Sequence, residues 1–285
     1  MRSHDSLSEI CRLSDAKRRI SRLPTVPVEQ PFYELVWDNI AQKRSFGDYT
    51  KVSHLYCPWL GYHFVYSLVS DSAREIMATI SYTVNFIERQ YNIKVRILKI
   101  DGETALLGDA FDEWKRDTGI KITVSAPNNH DQHGRAEKSG GVLINRATKL
   151  RLSGNLPDSI WPEIYEAAGY ILNRSPTRRL GWKSPTMKLH EWLGRTNPMP
   201  KCYHLRPYGC RAYAFIHNRP KLDKLAAKAH VGYLVGYMST NIWRIWIPTL
   251  KRVIPIRDVT FDTTKRYDPK DDDKLDITEE EAIAF

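Results

Sequence analysis

The chain has 285 residues, 42% hydrophobic and 27% charged, and a formal net charge of +10, enough length to bury one good core and a second small one. The composition is that of a globular protein, and no apolar run reaches the roughly 18 residues a membrane span needs. Residues 267–285 hold eight acids against two lysines, so residues 1–266 carry +16, a field that favours polyanions, nucleic acid first among them, over a merely solvated basic surface.

In chain order, residues 1–30 read as a basic arm. Lys17, Arg18, Arg19 and Arg22 cluster there, and prolines at 24, 27 and 31 stiffen the approach to the first strand. The start, Met1 to Asp5, lacks the apolar stretch of a signal peptide. Residues 31 to about 175 alternate as a mixed α/β domain. Strands are expected over 33–38, 50–57 and 62–69, then a helix over 71–91 with Ile76, Ile80, Val84 and Ile87 at helical spacing. A strand over 94–100, a helix over about 108–117 and a short strand at 120–124 follow. Two helices close the region, one over about 135–153 and one over 158–173, the latter with Asp158 as N-cap and Pro162 in its first turn. Residues 176–204 read as an extended connector, 205–266 as short strands of a small β-barrel-like domain, and 267–285 as an acidic, disordered tail. The four cysteines, Cys11, Cys57, Cys202 and Cys210, show no C-x-x-C spacing and read as free thiols in a reducing compartment.

Three acids stand in contexts that suit a shared metal. Asp101 ends the apolar run from Val95 to Ile100, and Asp38 ends the strand-like run from Tyr33 to Trp37. Glu137 follows the polar stretch from Asn128 to Gly134 and opens a helical pattern. Taken singly, Asp101 before Gly102 is an ordinary turn residue, Glu137 a solvated helix acid, and Asp48 and Asp71 compete for the role of Asp38. Carboxylates from two strand ends and a helix start can still converge on one hard cation. Without metal, such clustered carboxylates repel, and at least one should bind its proton more tightly.

The words around these acids are specific as a set. They are Asp101-Gly102-Glu103-Thr104, the run from Gln132 to Gly141, and Leu172-Asn173-Arg174-Ser175-Pro176. With thirty-five residues between Asp101 and Glu137, the chain resembles Copia-type (Pseudoviridae) retrotransposon integrases, in a form associated with fungal elements. The resemblance covers roughly Cys11 to Phe261. It implies an RNase H-like (retroviral integrase superfamily) α/β core over 31–175, where periodicity alone gives only an α/β domain.

The resemblance further implies that Asp38, Asp101 and Glu137 are the catalytic, metal-holding triad for Mg²⁺ or Mn²⁺. Asp38 and Asp101 would share one ion, and Asp38 and Glu137 the other. The activity would be DNA 3′-end processing and strand transfer. The partners would be element ends and target DNA, with RNA allowed, bound by a homo-oligomer without any membrane. The setting would be the nucleus, with a cytoplasmic virus-like particle stage. The alternatives are an inactive DNA-binding remnant and an RNase H-type nuclease. In such relatives the segment from Cys11 to Arg18 closes a His-His-Cys-Cys zinc module. Here Ser8 stands where its partner cysteine would fall and His4 is alone, so a decayed or truncated module without zinc is expected.

On the helix after Glu137, Arg135, Lys138, Arg146 and Lys149 form a basic stripe that could follow a DNA backbone, or else a solvated face. Glu137 lies about 140° around the helix from it. His130 and His133 read as exposed loop residues before metal ligands. Trp182-Lys183 could stack on bases, and Trp243 and Trp246 read as core and rim of the β domain.

Overall fold

The computed structural model describes residues 30–100, 108–124, 130–217 and 227–270; at 109–110 and 130–138 it describes the backbone only. The first sheet is built from β1 (Glu34–Ala41), β2 (Lys51–Cys57), β3 (Tyr62–Leu68), β4 (Ile97–Ile100) and β5 (Lys121–Val124), in the order β3-β2-β1-β4-β5. β2 runs antiparallel to β1 and β3, whereas β4 runs parallel to both β1 and β5. The parallel step from β1 to β4 requires a crossover helix. α1 (Ala73–Tyr91) supplies it.

α1 forms where the apolar spacing places it. Ile76, Ile80, Val84 and Ile87 are all buried. Ser72 caps the start by accepting the Glu75 N–H, and Asn92 ends the helix in the left-handed region at φ 54°. β1 is apolar on both faces: Leu35, Val36 and Trp37 are buried, and the Trp37 indole donates to Ser53 Oγ at 2.9 Å. This is the signature of a central strand.

α2 (Asp109–Thr118) precedes β5, and α3 (His130–Gly154) follows it. α3 begins five residues earlier than expected: the polar run from His130 to Gly134 is helical, not loop. None of those residues except Gly134 opposes a helix, and an interior glycine costs only about 1 kcal/mol. The next helix also differs from expectation. Asp158–Ile160 is a 3₁₀ turn, and α4 (Trp161–Leu172) starts after it, with Pro162 in its first turn. Asp158 is therefore no N-cap; it pairs with Arg151 at 2.9 Å.

The expected extended connector holds a short helix, α5 (Pro185–Trp192). Ser184 caps it by accepting the Met187 N–H, the first turn carries Pro185, and Leu189 is buried. The second sheet contains β6 (Cys210–Phe215), β7 (Ala229–Tyr237), β8 (Trp243–Ile247), β9 (Arg252–Ile256) and β10 (Val259–Arg266), all antiparallel, in the order β10-β6-β7-β8-β9.

α4 joins the two sheets. It is buried nearly all round, through Trp161, Ile164, Tyr165, Ala167, Ala168 and Leu172, which marks a helix enclosed by protein. Gly169 lies on the β3 side, where a Cβ would stand 2.7 Å from Val65 Cγ2. Elsewhere α4 shares a core with Tyr233 and Val235 of β7 and Trp246 of β8. Glu163 of α4 grips the Arg244 guanidinium of β8 in a bidentate ion pair, the geometry an arginine fork favours.

Candidate active site

Asp38 lies in β1, half-buried, opposite His54 of β2. Its Oδ1 accepts the N–H of Asn39 at 2.9 Å. α3 passes close to this carboxylate. A Cβ built on Gly140 would stand 3.1 Å from Asp38 Oδ2. The helix can approach this carboxylate closely because position 140 has no side chain.

Glu137 occupies α3 three residues before Gly140. Positions three apart on a helix are neighbours on one face, with Cβ atoms about 5–6 Å apart. The helix backbone therefore carries Glu137 one turn from the Asp38 contact; its side chain is outside the described residues. Asp101 also lies outside the described residues. The strand leading to it, β4, ends at Ile100, which pairs with Trp37, the residue before Asp38. Among the described residues, no group of three or more His, Cys, Asp or Glu side chains is arranged to hold a metal.

Asp48 and Asp71, the competitors of Asp38, sit elsewhere. Asp48 is exposed in a loop and pairs with Arg44 at 2.8 Å. Asp71 is exposed beside the start of α1 and pairs with Lys51 at 2.7 Å. The hydrogen bond from Lys51, with its charge, holds the Asp71 carboxyl below the usual range.

The basic residues of α3 fall partly inside and partly outside the described side chains. Arg135 and Lys138 have helical backbones and undescribed side chains, while Arg146 is half-buried and Lys149 exposed. Arg146, Lys149 and Asn145 line an open groove of about 350 Å³ that also reaches Gly141. Positions 137, 141, 145 and 149 form one i±4 row, which drifts about 40° around the helix per step. The groove runs along this row from Gly141, one turn after Glu137, to Lys149. Asn145 was not singled out in the sequence, although its spacing from Glu137 was there to be read. His130 and His133 fall within α3 rather than in a loop, and their side chains are undescribed. Trp246 is buried, Trp243 donates to the His204 carbonyl at 3.0 Å, and Trp182 is exposed.

Next to the acid site, the sheet carries a buried histidine pair that no sequence signal announced. His54 Nε2 and His63 Nδ1 are 3.0 Å apart. Burial, and then the charge of Arg179, push His63 down to about 4; burial and His63 likewise lower His54. Both rings are neutral at pH 7.

The structural comparison defines the fold. A chain of the simian T-cell lymphotropic virus intasome, in complex with the PP2A regulatory subunit B56 gamma, superposes with a TM-score of 0.52 at 14% identity, covering 88% of this chain and 84% of that one. The fold is that of the retroviral integrases: an RNase H-like core with a small β domain after it. Residues 210–275 match the family described as the retroviral polymerase SH3-like domain.

Sequence comparison finds homologues among the Copia-type Pol polyproteins of plant transposons, the kind of relative the motifs implied. The retrovirus-related Pol polyprotein from transposon TNT 1-94 of Nicotiana tabacum is 27% identical over 215 residues, 70% of this chain and 16% of the polyprotein. That from transposon RE2 of Arabidopsis thaliana is 27% identical over 206 residues, 70% of this chain and 13% of the polyprotein. The chain thus spans less than a fifth of each of these relatives. Being plant elements, they bear on the Copia-type lineage and not on the fungal form.

Proposed function

We propose that this chain is the integrase segment of a Copia-type retrotransposon Pol polyprotein, an enzyme that trims element DNA ends and joins them to target DNA. One observation carries the reading. In an integrase fold, the Asp38 carboxylate meets helix α3 at Gly140, one turn from Glu137.

The donor set expected here, Asp38, Asp101 and Glu137, consists of carboxylate oxygens alone, which suits Mg²⁺ or Mn²⁺ and not zinc. When bound, paired divalent ions would activate the attacking oxygen and neutralise charge on the scissile phosphate. The protein's own part is placement. β1 fixes Asp38 within the sheet, and Gly140 keeps the space above its carboxylate clear. Arg146 and Lys149 offer cations to phosphates along the groove that starts at Gly141, one turn after Glu137, and Asn145 offers a hydrogen-bond donor. No side chain need act as nucleophile. DNA ends, target DNA and a homo-oligomer assembled on them are the partners this reading requires.

The test is joining of a labelled DNA end to a plasmid in Mg²⁺ or Mn²⁺, comparing wild type with Asp38→Asn, Asp101→Asn and Glu137→Gln. Each substitution should lower joining by about 100-fold or more while DNA retention persists, and EDTA should abolish the reaction. DNA retention without joining by the wild type would instead identify an inactive remnant. Cleavage of RNA–DNA hybrids without joining would identify a nuclease.

A further inference from the structure

The outer edge of the first sheet has backbone groups that the active site does not use. β3 is an end strand, and in an antiparallel ladder alternate residues turn their N–H and C=O groups to opposite sides. The Leu68 carbonyl accepts the Thr50 N–H at 2.9 Å, so Leu68 faces β2. His63 faces the other way. Its N–H donates to Asn173 Oδ1 at 2.8 Å, and its carbonyl accepts from Asn173 Nδ2 at 2.7 Å. The Asn173 amide thus stands in for one residue of a missing neighbour strand. By the same alternation, Val65 and Ser67 turn their backbone groups to the open side. Neither makes a main-chain hydrogen bond outside the ladder among the described residues.

A groove of about 380 Å³ lies along this edge. Tyr82 and Phe86, one turn apart on α1, form one wall, with their rings stacked at 6.2 Å. Glu166 of α4 stands on the other wall, and Asn173 closes one end. Glu166 is exposed in the groove, and it accepts a hydrogen bond from Ser67 Oγ at a long 3.4 Å. The neighbouring Arg244 is spent on Glu163. Crowding by protein, and then the repulsion of Glu163, raise the Glu166 carboxyl to about 7. The groove therefore combines an open strand edge, an aromatic wall and an acid that lacks an ion-pair partner among the described residues.

We propose that the β3 edge docks an extended peptide of a partner protein, adding a strand along Val65–Ser67, with a lysine or arginine against Glu166. Side chains of a strand alternate between faces. The peptide would therefore carry cations at one parity and apolar residues, facing Tyr82 and Phe86, at the other. Main-chain bonds supply affinity in such strand addition, and the alternate pockets supply selectivity. A second copy of this chain fits less well, because β3 contains no lysine or arginine to bring to Glu166.

The test uses the full chain and a fluorescein-labelled short peptide alternating lysine and valine, read by anisotropy, with sedimentation to follow self-association. Saturable binding is expected. N-methylation of the peptide backbone at one parity should weaken it about tenfold, roughly one to two lost hydrogen bonds, and methylation at the other parity should leave it unchanged. Glu166→Gln, and lysine-to-glutamate exchange in the peptide, should each weaken binding by a similar factor. Indifference to the parity of methylation, or to Glu166→Gln, would overturn the proposal. So would absence of saturable binding. Self-association that Ser67→Pro abolishes, with no peptide binding, would overturn it in favour of a second copy. Near-UV circular dichroism of each variant checks that folding is unchanged.

Discussion

Asp38 and Gly140 make a contact whose disturbance should be visible in catalysis before it is visible in stability. A Gly140→Val side chain would enter the space 3.1 Å from Asp38 Oδ2. A misplacement of about 1 Å can cost on the order of 100-fold in rate. Gly140→Val should therefore lower joining at least tenfold while shifting the melting temperature by only a few degrees, measured on the same preparation. Titrating residues give a second expectation. His63, held down to about 4, and His54, also lowered, are neutral in the folded state, whereas an unfolded histidine takes its proton near 6.5. Their stabilisation is full above pH 6.5 and is lost as pH falls below it, for His63 as pH falls toward 4. Glu166, raised to about 7, acts with the opposite sign: the folded state keeps a proton that the unfolded state has released, so its contribution fades as pH rises from about 4.5 to 7. Urea midpoints should fall on the acid side of pH 6.5. Glu166→Gln should gain more over wild type at pH 8 than at pH 5; an equal gain at both would refute the assignment. At this scale the sequence was legible where chemistry recurs in a motif. Asp38 stood out as an acid closing an apolar run. Asn173 lay within a recognisable word too, but its grip on His63, 110 residues away, exists only after α4 has docked.

α1 shows how far element-level signals carry. Its four isoleucine and valine positions were spaced for burial and are buried, because one amphipathic stripe on one sheet decides that helix. α5 was missed although Ser184-Pro185 is a good helix start, since eight residues with one fully buried leucine leave little periodic signal. The early start of α3 was missed because polar residues read as loop, while helix formation there needs only the absence of breakers. α4 escaped a complete reading for the opposite reason: a helix apolar on all sides does not say which two surfaces enclose it. The end of α3 and the start of the second sheet meet by close backbone approach. Gly209 sits at φ 72°, and a Cβ there would stand 2.4 Å from Gly154 Cα. Backbone cannot yield as a flexible side chain can, and a left-handed φ penalises any Cβ. Gly209→Ala should destabilise the chain by about 2 kcal/mol or more in urea unfolding. A loss below about 0.5 kcal/mol would show that the approach is looser than described.

On the scale of the whole molecule, two sheets share the helix α4, and α3 carries a basic groove and passes close to the Asp38 carboxylate. The charge asymmetry was plain in the sequence, with +16 ahead of residue 267, and so was the order of strands once the motifs were recognised. What the sequence could not supply is distance: the thirty-five residues between Asp101 and Glu137 fix a spacing in the chain and not in space. The fold brings α3 to Asp38, and the reading as an integrase requires that Asp101 complete the cluster. Mn²⁺ binding followed by electron paramagnetic resonance tests that requirement without depending on turnover. Wild type should bind Mn²⁺, and Asp38→Asn, Asp101→Asn and Glu137→Gln should each weaken binding by about tenfold or more. Unchanged affinity in any one of the three folded variants would contradict a shared site built from these acids.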